Sequence, residues 1–361
     1  MPCRIAVFLM SMIYLGVLVP CAHAQDSATE TKQLPVQVFI LAGQSNMEGK
    51  GSVETTKRQL ADPEKRERFA HLIDEDGNWK QREDVFISYL GAHGRRSGPL
   101  TMGYGKSQKD SLDVFGPELG FGWVVGDALE APVLIIKTAW GGKSVDRDFR
   151  PPSRGIPDSF GEMYKRASKN RPELTEEEYR ETYGHFYREM IQEVGYVIEH
   201  LDQFVPDYQG QGFELKGFVW FQGWNDMFGI TSIEDYEENL TAMIQDLRKE
   251  LNAPDLPVVI GAMGHDGEKQ KDKVKKMADS QWAVSQRPEF EDRVLTIRTA
   301  PYWDTEAEEA FETYWADEKN RDVERWRDFG NDRGYHYLGS PVFFHAAGKA
   351  FGEGMLKMIA K

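Results

Sequence analysis

The sequence has almost no cysteine: Cys3 and Cys21 are the two in 361 residues, and both lie in its first two dozen positions. Beyond that segment, disulfide frameworks, thiolate nucleophiles and cysteine metal sites are therefore excluded. Positive charge is also scarce, because 44 Lys and Arg residues face 59 Asp and Glu and give a net charge of −15 at pH 7. Since such a surface repels the phosphate backbone of nucleic acids, we expect no nucleic-acid partner.

Long apolar runs are missing as well, except at the N-terminus. Residues 5–20 (IAVFLMSMIYLGVLVP) follow one basic residue, and Ala22-His23-Ala24 has the small-x-small pattern of a cleavage site. We expect a signal peptide over residues 1–24 and a flexible polar leader over residues 25–34. The mature protein would then be secreted or periplasmic, with no membrane contact after cleavage. A retained membrane anchor and a lipid on Cys21 are the alternatives.

What the chain does have is buried-type strands that alternate with amphipathic helices over residues 35–361. The predicted helices carry apolar residues at spacings of three or four, and one of them opens with Thr175 and Glu178, the pair of a capping box. These helices cover residues 119–129, 175–201, 233–251 and 343–358. The predicted strands are residues 36–43, 132–138, 215–221, 256–262 and 293–299. This alternation predicts a single α/β domain with a parallel central sheet of about five strands, covered by helices on both faces.

Two long polar segments interrupt this alternation. Residues 48–116 follow the first predicted strand, and residues 304–332 follow the last. In a parallel sheet both segments start at the carboxyl ends of strands, which is where open α/β sheets bind ligands. We therefore expect the two segments to shape a cleft, with decorative surface loops as the alternative.

The first predicted strand runs directly into Gly43-Gln44-Ser45-Asn46-Met47. A serine on a glycine-permitted turn after a buried strand exposes its hydroxyl at the sheet edge and keeps its backbone N–H free at a helix start. An acyl-transfer nucleophile needs both of these features. On the spacing alone, Ser45 is explained equally well as a helix N-cap.

The second and third predicted strands end in groups that can donate hydrogen bonds. Trp140-Gly141-Gly142-Lys143-Ser144 follows the second strand, and Gln222-Gly223-Trp224-Asn225-Asp226 follows the third. Glycine N–H groups approach an oxyanion closely, and a neutral Asn amide donates without carrying a charge. Three neighbouring strand ends thus supply a nucleophile and hydrogen-bond donors.

A general base has to come from the histidines. His336 lies in a loop before the last helix, and Asp332, four residues upstream, can fix the tautomer of its ring. His265, beside Asp266 at the end of the fourth strand, is the competing candidate. The other histidines beyond the signal segment are expected to be structural or solvated, and they are His71, His93, His185, His200 and His345.

Other catalytic motifs are incomplete in this sequence. Gly142-Lys143-Ser144 ends like a P-loop, but Lys137 stands where the first glycine of that motif is required. Met47 replaces the last glycine of the Gly-x-Ser-x-Gly elbow of α/β-hydrolases. The sequence has no His-Glu-x-x-His, calcium-loop or dinucleotide motif. We therefore expect no metal and no organic cofactor.

Four blocks occur in one order along the chain, and they are Leu41-Ala42-Gly43-Gln44-Ser45-Asn46-Met47, Trp140-Gly141-Gly142-Lys143-Ser144, Trp220-Phe221-Gln222-Gly223-Trp224-Asn225-Asp226 and Gly334-Tyr335-His336-Tyr337-Leu338-Gly339. Together they resemble the sialate O-acetylesterase-like branch of the SGNH hydrolases, carbohydrate esterases with a three-layer α/β/α flavodoxin-like fold. The resemblance implies that Ser45 is the nucleophile and His336 the general base. It also implies an oxyanion hole formed by the Ser45 N–H, a glycine N–H at Gly141 or Gly142, and the Asn225 side chain.

The chain departs from this family at the catalytic acid. The family commonly spaces acid and base as Asp-x-x-His, whereas one more residue separates Asp332 from His336 here. Either Asp332 still reaches the imidazole, or a backbone carbonyl orients it. The family also often has Gln-Gly-Glu where this chain has Gln222-Gly223-Trp224.

The expected function is that of a secreted serine esterase that removes O-acetyl groups from a carbohydrate through an acetyl-enzyme intermediate. Among the expected substrate contacts, Trp140 and Trp224 would either stack on a sugar or pack under the glycine turns. Arg150 would either pair with a substrate carboxylate or sulfate or be a solvated surface arginine. Gln44 and Gln222 complete this set. The alternatives are a catalytically silent carbohydrate-binding or scaffold protein of the same fold, and an esterase or thioesterase acting on another small acyl ester.

Overall fold

The structure, a computed structural model, describes residues 33–106, 113–228 and 233–360. The predicted signal peptide (1–24) and all but the last two residues of the predicted leader (25–34) lie outside this part of the chain. Within it, no helix combines the length and the apolar character needed to cross a membrane.

The described residues form nine strands. In chain order they are β1 (Val36–Gly43), β2 (Gly51–Ser52), β3 (Val85–Gly91), β4 (Gly94–Pro99), β5 (Val114–Phe115), β6 (Val133–Ala139), β7 (Phe213–Phe221), β8 (Val258–Ala262) and β9 (Val294–Arg298).

Seven of these strands build one sheet in the order β4-β3-β6-β1-β7-β8-β9, while β2 and β5 pair separately. All neighbours in the large sheet are parallel except β3 and β4. The five predicted strands are adjacent in this sheet as β6, β1, β7, β8 and β9. When they are numbered 1 to 5 by their position in the chain, their order across the sheet is 2-1-3-4-5, the flavodoxin-like arrangement. The predicted α/β fold with a mostly parallel sheet is thus confirmed.

The sheet has two more strands than the five predicted, and both come from the polar segment 48–116. The short apolar run of β3 is enclosed by charged residues and gives only a weak strand signal. In β4, two arginines and two glycines read as a loop. A polar composition suits an edge strand, because it discourages pairing with a second chain.

Helices cover both faces of the sheet. In chain order they are α1 (Ser45–Glu48), α2 (Val53–Ala61), α3 (Pro117–Ala128), α4 (Phe160–Asn170), α5 (Glu176–Glu181), α6 (His185–Glu199), α7 (Leu201–Phe204), α8 (Tyr236–Glu250), α9 (Asp272–Ser285), α10 (Thr305–Ala310), α11 (Val323–Trp326) and α12 (Pro341–Ile359).

The core is divided into two clusters by the sheet. Val38 and Ile40 of β1 belong to the cluster that includes apolar side chains of α6, α8 and α9. Phe39 and Leu41, the alternating residues of the same strand, belong to the cluster that includes α3 and α12. Since successive side chains of a strand point to opposite faces, one buried strand supports both layers, and the result is a three-layer α/β/α fold.

The predicted helix 175–201 is interrupted in the structure. The Thr175–Glu178 capping box is present, but it caps the short helix α5, and a new helix starts at His185. Gly184 between them has a φ of +69°, and its N–H donates to the Arg147 carbonyl oxygen. The single apolar stripe is therefore split between two cores: the tyrosines at its start join a small separate cluster, and its later residues pack under the sheet.

A pair of histidines joins α12 to the polar segment 48–116 and makes stability depend on pH. His71 Nε2 and His345 Nε2 are 3.1 Å apart. Burial, with the charges of His71 and Lys349, lowers the pKa of His345 from 6.5 to about 4. The unfolded chain thus binds a proton between these pH values that the folded chain does not.

We expect the free energy of unfolding to fall as the pH drops from 6.5 to 4, with His345 contributing roughly 3 kcal/mol of this change. His345→Asn should flatten that dependence. Urea unfolding of both proteins across this range measures it, and parallel pH profiles for the two proteins would contradict the assignment.

Candidate active site

The three central strands of the sheet end at the same level. Gly43, the last residue of β1, is in register with Ala139 of β6 and Phe221 of β7. A Cβ atom on Gly43 would lie 2.2 Å from the Phe221 carbonyl oxygen, so only glycine fits there. The segments that leave the three strands therefore start side by side. Gln44 is the first residue after β1, and Trp140 is the first residue after β6. The Trp140 N–H donates to the Gly43 carbonyl oxygen at 3.2 Å.

Ser45, the predicted nucleophile, is the first residue of α1 and is 7% exposed. It follows Gln44, the N-cap residue, whose side chain makes no capping hydrogen bond. None of the described residues accepts a hydrogen bond from the Ser45 N–H. An unpaired N–H at the first turn of a helix is available to a ligand.

Asn225, the predicted oxyanion donor, is held by the side chain of Gln44. The Gln44 Oε1 accepts hydrogen bonds from the backbone N–H groups of Gly223 and Asn225, both at 3.3 Å. Its Nε2 donates to Asn225 Oδ1 at 3.4 Å. The Asn225 Nδ2 donates to the Gly142 carbonyl oxygen at 3.0 Å, which leaves its second hydrogen for another acceptor.

Asp226 holds the glycine turn that follows β6 in place through hydrogen bonds. The Asp226 carboxylate accepts hydrogen bonds from the N–H groups of Val145 and Asp146 at 3.1 and 3.0 Å, and from Gln222 Nε2 at 2.5 Å. Burial raises the pKa of Asp226 to about 7, against the effect of these hydrogen bonds. Gly142 in this turn has a φ of +73°, a conformation that favours glycine. This function of Asp226 has one signal in the sequence, which is the position next to Asn225.

His336 and Asp332 form a hydrogen-bonded pair. His336 Nδ1 lies 2.9 Å from Asp332 Oδ2. Burial raises the pKa of Asp332, but the hydrogen bond and charge of His336, with the Arg333 N–H and the Lys50 charge, outweigh it and hold the pKa below its ordinary value. The carboxylate therefore stays ionised at neutral pH and keeps the proton of the imidazole on Nδ1.

The backbone around His336 explains how the longer Asp332–His336 spacing is accommodated. The segment Gly334–Gly339 forms a kinked 3₁₀ turn in which Tyr337 and Leu338 have φ values of +50° and +62°. The N–H groups of Asn331 and Asp332 donate back to the Leu338 carbonyl oxygen. The extra residue is thus absorbed in a turn that brings carboxylate and imidazole together, so a carboxylate, not a backbone carbonyl, contacts Nδ1.

His265, the competing base, is buried in a structural role. Its Nε2 donates to the Tyr335 carbonyl oxygen at 3.0 Å, and its ring stacks on Tyr337 with centroids 4.0 Å apart. Burial lowers the pKa of His265 to about 3, so the ring is neutral.

Asn46, which follows the predicted nucleophile, donates from Nδ2 to the same Tyr335 carbonyl oxygen at 3.3 Å. The carbonyl belongs to the residue that precedes His336. One acceptor thereby ties the turn of Ser45 to the turn of His336. The structure has no hydrogen bond between the Ser45 hydroxyl and the His336 ring, both of which are described residues. In apo enzymes such bonds are often long and tighten when substrate binds.

Three of the predicted substrate contacts face the protein interior. Trp140 is 6% exposed and packs on Phe149 and Phe186. Gln222 is 2% exposed, and its Nε2 donates to the Lys143 carbonyl oxygen.

Arg150 is 7% exposed and pairs with Asp146 at 3.1 Å. The ring of Trp140 and the polar groups of Gln222 and Arg150 already contact other parts of the protein. These three residues therefore support the turns, and the expectation that they contact the substrate is corrected. Gln44, 2% exposed, joins them because its amide holds Asn225.

Trp224 is half-buried and belongs to a group of aromatic rings beside Asn225 and His336. Its ring centroid lies 5.7 Å from that of Phe228 and 5.9 Å from that of Tyr335. Phe228 and Tyr335 are 64% and 40% exposed. We call these three residues the aromatic rim. Within residues 33–106, 113–228 and 233–360, no group of three or more His, Cys, Asp or Glu side chains is arranged to hold a metal ion.

Comparisons with known proteins identify the family. A family model described as "Carbohydrate esterase, sialic acid-specific acetylesterase" matches residues 35–291. The chain is similar to a probable carbohydrate esterase of Arabidopsis thaliana, with 23% identity over 244 residues that make up 64% of this chain and 71% of that protein.

Two solved structures are among those that the chain resembles. An X-ray structure of an Arabidopsis thaliana protein superposes with a TM-score of 0.50 and 16% identity, covering 90% of this chain and 98% of the other. A carbohydrate acetylesterase from Xanthomonas citri has a TM-score of 0.45 and 14% identity, covering 74% of this chain and 50% of the other. Because the family model spans most of the chain, this protein belongs to the sialic acid-specific acetylesterase family of carbohydrate esterases and is a carboxylic ester hydrolase.

Proposed function

We propose that this protein is a serine esterase of the SGNH type that removes O-acetyl groups from a carbohydrate through an acetyl-enzyme intermediate. The observation that carries the proposal is the Asp332–His336 hydrogen bond of 2.9 Å, in a turn tied through Asn46 to the turn of Ser45. Nucleophile, base and acid would then act as one unit. Release of acetate from O-acetylated sugars by the purified protein tests the activity.

The proton transfers follow from the state of the imidazole. With Nδ1–H donated to ionised Asp332, Nε2 is free to take the proton of the Ser45 hydroxyl as its oxygen attacks the acetyl carbonyl. The imidazolium then returns that proton to the sugar oxygen, the C–O bond breaks, and the deacetylated sugar leaves. A water attacks the acetyl-enzyme with His336 as base again, so that acetate is released and the Ser45 hydroxyl is restored.

The negative oxygen of the tetrahedral intermediate needs donors that are in place before the reaction. The proposed donors are the Ser45 N–H, the N–H of Gly141 or Gly142, and the second hydrogen of Asn225 Nδ2. Each lies at the shared end of β1, β6 and β7. The donors are neutral and held by the protein, so little reorganisation accompanies the development of charge.

Replacing Asn225 with alanine should lower kcat by about 10²- to 10³-fold, because one oxyanion donor is lost while nucleophile and base remain. KM should change little. Steady-state kinetics on an acetyl ester measures both constants. The matched control is Asn170→Ala, because Asn170 is exposed at the end of α4 and is no proposed donor. An equal loss of kcat in the control, or none in Asn225→Ala, would contradict the assignment.

The aromatic rim is the proposed contact for the acetylated sugar. Pyranose rings have apolar C–H faces that pack on exposed aromatic rings, and the exposed faces of Phe228 and Tyr335 are adjacent to the proposed catalytic residues. Lys273 Nζ lies over the Phe228 ring at 5.5 Å, so a sugar would use the other face. Of the predicted stacking residues, Trp224 is therefore retained.

The alternative of a catalytically silent carbohydrate-binding protein rested on the longer spacing between Asp332 and His336, and the hydrogen bond between them removes that reason. A serine-directed fluorophosphonate distinguishes the two: labelling at Ser45 supports the enzyme, and glycan binding without labelling supports the binding protein. A series of esters with lengthening acyl chains tests the third possibility, since an acetylesterase should lose activity as the chain grows.

Secretion is part of the proposal. It is supported by the apolar run of residues 5–20 and the small-x-small site that ends at Ala24. N-terminal sequencing of the mature protein should give Gln25 as the first residue, and a chain that retains Met1 would overturn cleavage.

A further inference from the structure

Two large cavities lie side by side, and none of the three residues of the aromatic rim lines either of them. The first has a volume of about 690 Å³ and the second about 630 Å³. Both are lined by Lys57, Trp79 and Met102, so Trp79 lies where one cavity meets the other. We call the two cavities together the tryptophan groove. Their combined size exceeds what a single acetyl group or one small ester would fill.

The lining of the groove combines aromatic rings with polar side chains. Trp315 and Trp326 line the first cavity together with Trp79. Glu54 and Lys57, which carry charges of opposite sign, line it as well. No aromatic ring or cation among the described residues stacks on Trp79, whereas Arg321 covers one face of Trp315 at 4.5 Å. The Trp79 ring is half-buried and packs against the core cluster of α3 and α12, and its exposed part is available to a ligand.

The second cavity adds uncharged donors and acceptors. Asn78, Gln81 and Thr101 line it together with Arg66, beside the apolar side chains of Leu60 and Ile73. A polyphosphate would require a cluster of cations, and an acyl chain would make no use of the amide and hydroxyl groups. Aromatic faces together with amide and hydroxyl groups suit a carbohydrate, whose C–H faces stack and whose hydroxyls accept and donate hydrogen bonds.

Asn331 connects the groove to the proposed catalytic pair along the chain. Asn331 lines the first cavity and immediately precedes Asp332, which accepts the hydrogen bond of His336. Both long polar segments contribute walls, since Ser52 and Asp113 of the first segment and Trp315 and Asn331 of the second line the same cavity. This agrees with the cleft predicted from segments 48–116 and 304–332.

We propose that the tryptophan groove binds the sugar units next to the acetylated one, so that the substrate is an oligosaccharide or polysaccharide and not a free monosaccharide. This inference rests on the proposed esterase function at Ser45. Trp79 is the central stacking residue, and the acetylated unit would lie at the aromatic rim.

The test compares O-acetylated oligosaccharides prepared from acetylated xylan, glucomannan and pectin with the corresponding O-acetylated monosaccharides. For the best oligosaccharide, kcat/KM should exceed that for its monosaccharide. Trp79→Ala should remove this preference by raising the oligosaccharide KM about tenfold, with kcat and the monosaccharide kinetics unchanged. Trp79→Phe, which keeps a ring, should retain most of the preference. Trp282→Ala is the matched control, because Trp282 is 36% exposed on α9, a helix that lines neither cavity.

The inference is overturned if no oligosaccharide is preferred, or if Trp79→Ala affects both substrate sizes equally. Calorimetry with the deacetylated oligosaccharides and Ser45→Ala protein separates this inference from the esterase proposal. If the wild-type protein releases no acetate but the oligosaccharides bind and Trp79→Ala weakens that binding, the esterase proposal is refuted and the groove proposal stands. Acetate release that depends on Ser45 but not on Trp79 would refute the groove and leave the esterase.

Discussion

Ser45→Ala should lower kcat for hydrolysis of an acetyl ester by about 10⁶-fold, the loss seen when a serine nucleophile is removed from a triad. The reason is chemical: without the hydroxyl, no acetyl-enzyme can form, and only the oxyanion donors and substrate binding remain. Acetate release by purified wild-type and variant proteins measures the effect. KM for the oligosaccharide should be nearly unchanged, since Ser45 contributes little binding surface.

The control for this prediction is a serine on the neighbouring turn. Ser144 donates from Oγ to Asp148 at 3.1 Å and is not expected to react. Ser144→Ala should therefore keep most of the activity and still be labelled by a fluorophosphonate, whereas Ser45→Ala should not be labelled. Full activity in Ser45→Ala protein would refute the nucleophile.

His336→Ala should be nearly as inactive as Ser45→Ala, with a loss of kcat of about 10⁶-fold, because the members of a triad act as a unit and their effects do not add. Asp332→Asn should cost about 10⁴-fold, because the amide stabilises the wrong tautomer of the imidazole. Steady-state kinetics on one acetyl ester gives all three values. The double variant Ser45→Ala, His336→Ala should be no worse than either single variant.

His265→Ala provides the contrasting result. His265 is buried, and its ring holds the Tyr335 carbonyl and stacks on Tyr337. Its removal should lower the free energy of unfolding by about 2 to 3 kcal/mol, while kcat below the melting temperature stays within about tenfold of wild type. Loss of activity without loss of stability in His265→Ala, with an active His336→Ala, would exchange the roles of the two histidines.

The strand ends were the most predictable part of the proposed site. A buried apolar strand that stops at glycine marks a sheet edge, and Gly43 shows the constraint directly, because a side chain there would collide with the Phe221 carbonyl. The sequence therefore predicted which turns meet, since neighbouring parallel strands end at one edge. It did not predict β4, whose arginines and glycines carry no apolar pattern.

The functions of individual side chains were harder to predict. Gln44, Gln222 and Trp140 stand next to the proposed catalytic residues or in the turns beside them, and this position in the sequence suggested contact with a substrate. Their burial, at 2% to 6% exposure, gives them a supporting function instead. The sequence carries no signal for this difference, because whether a side chain at a turn points outward or inward depends on the packing of residues far away in the chain.

The sequence by itself determined the α/β layering and which strand ends meet at one edge of the sheet, because the period of apolar residues and the positions of glycine are local properties of the chain. Only the tertiary structure decided that Asp332 reaches His336 across the longer spacing, that Asn46 and His265 share the Tyr335 carbonyl, and that the two polar segments enclose one groove. Each of these depends on backbone turns and on contacts between residues distant in sequence. Such contacts are fixed by the packing of the whole domain and not by any local pattern.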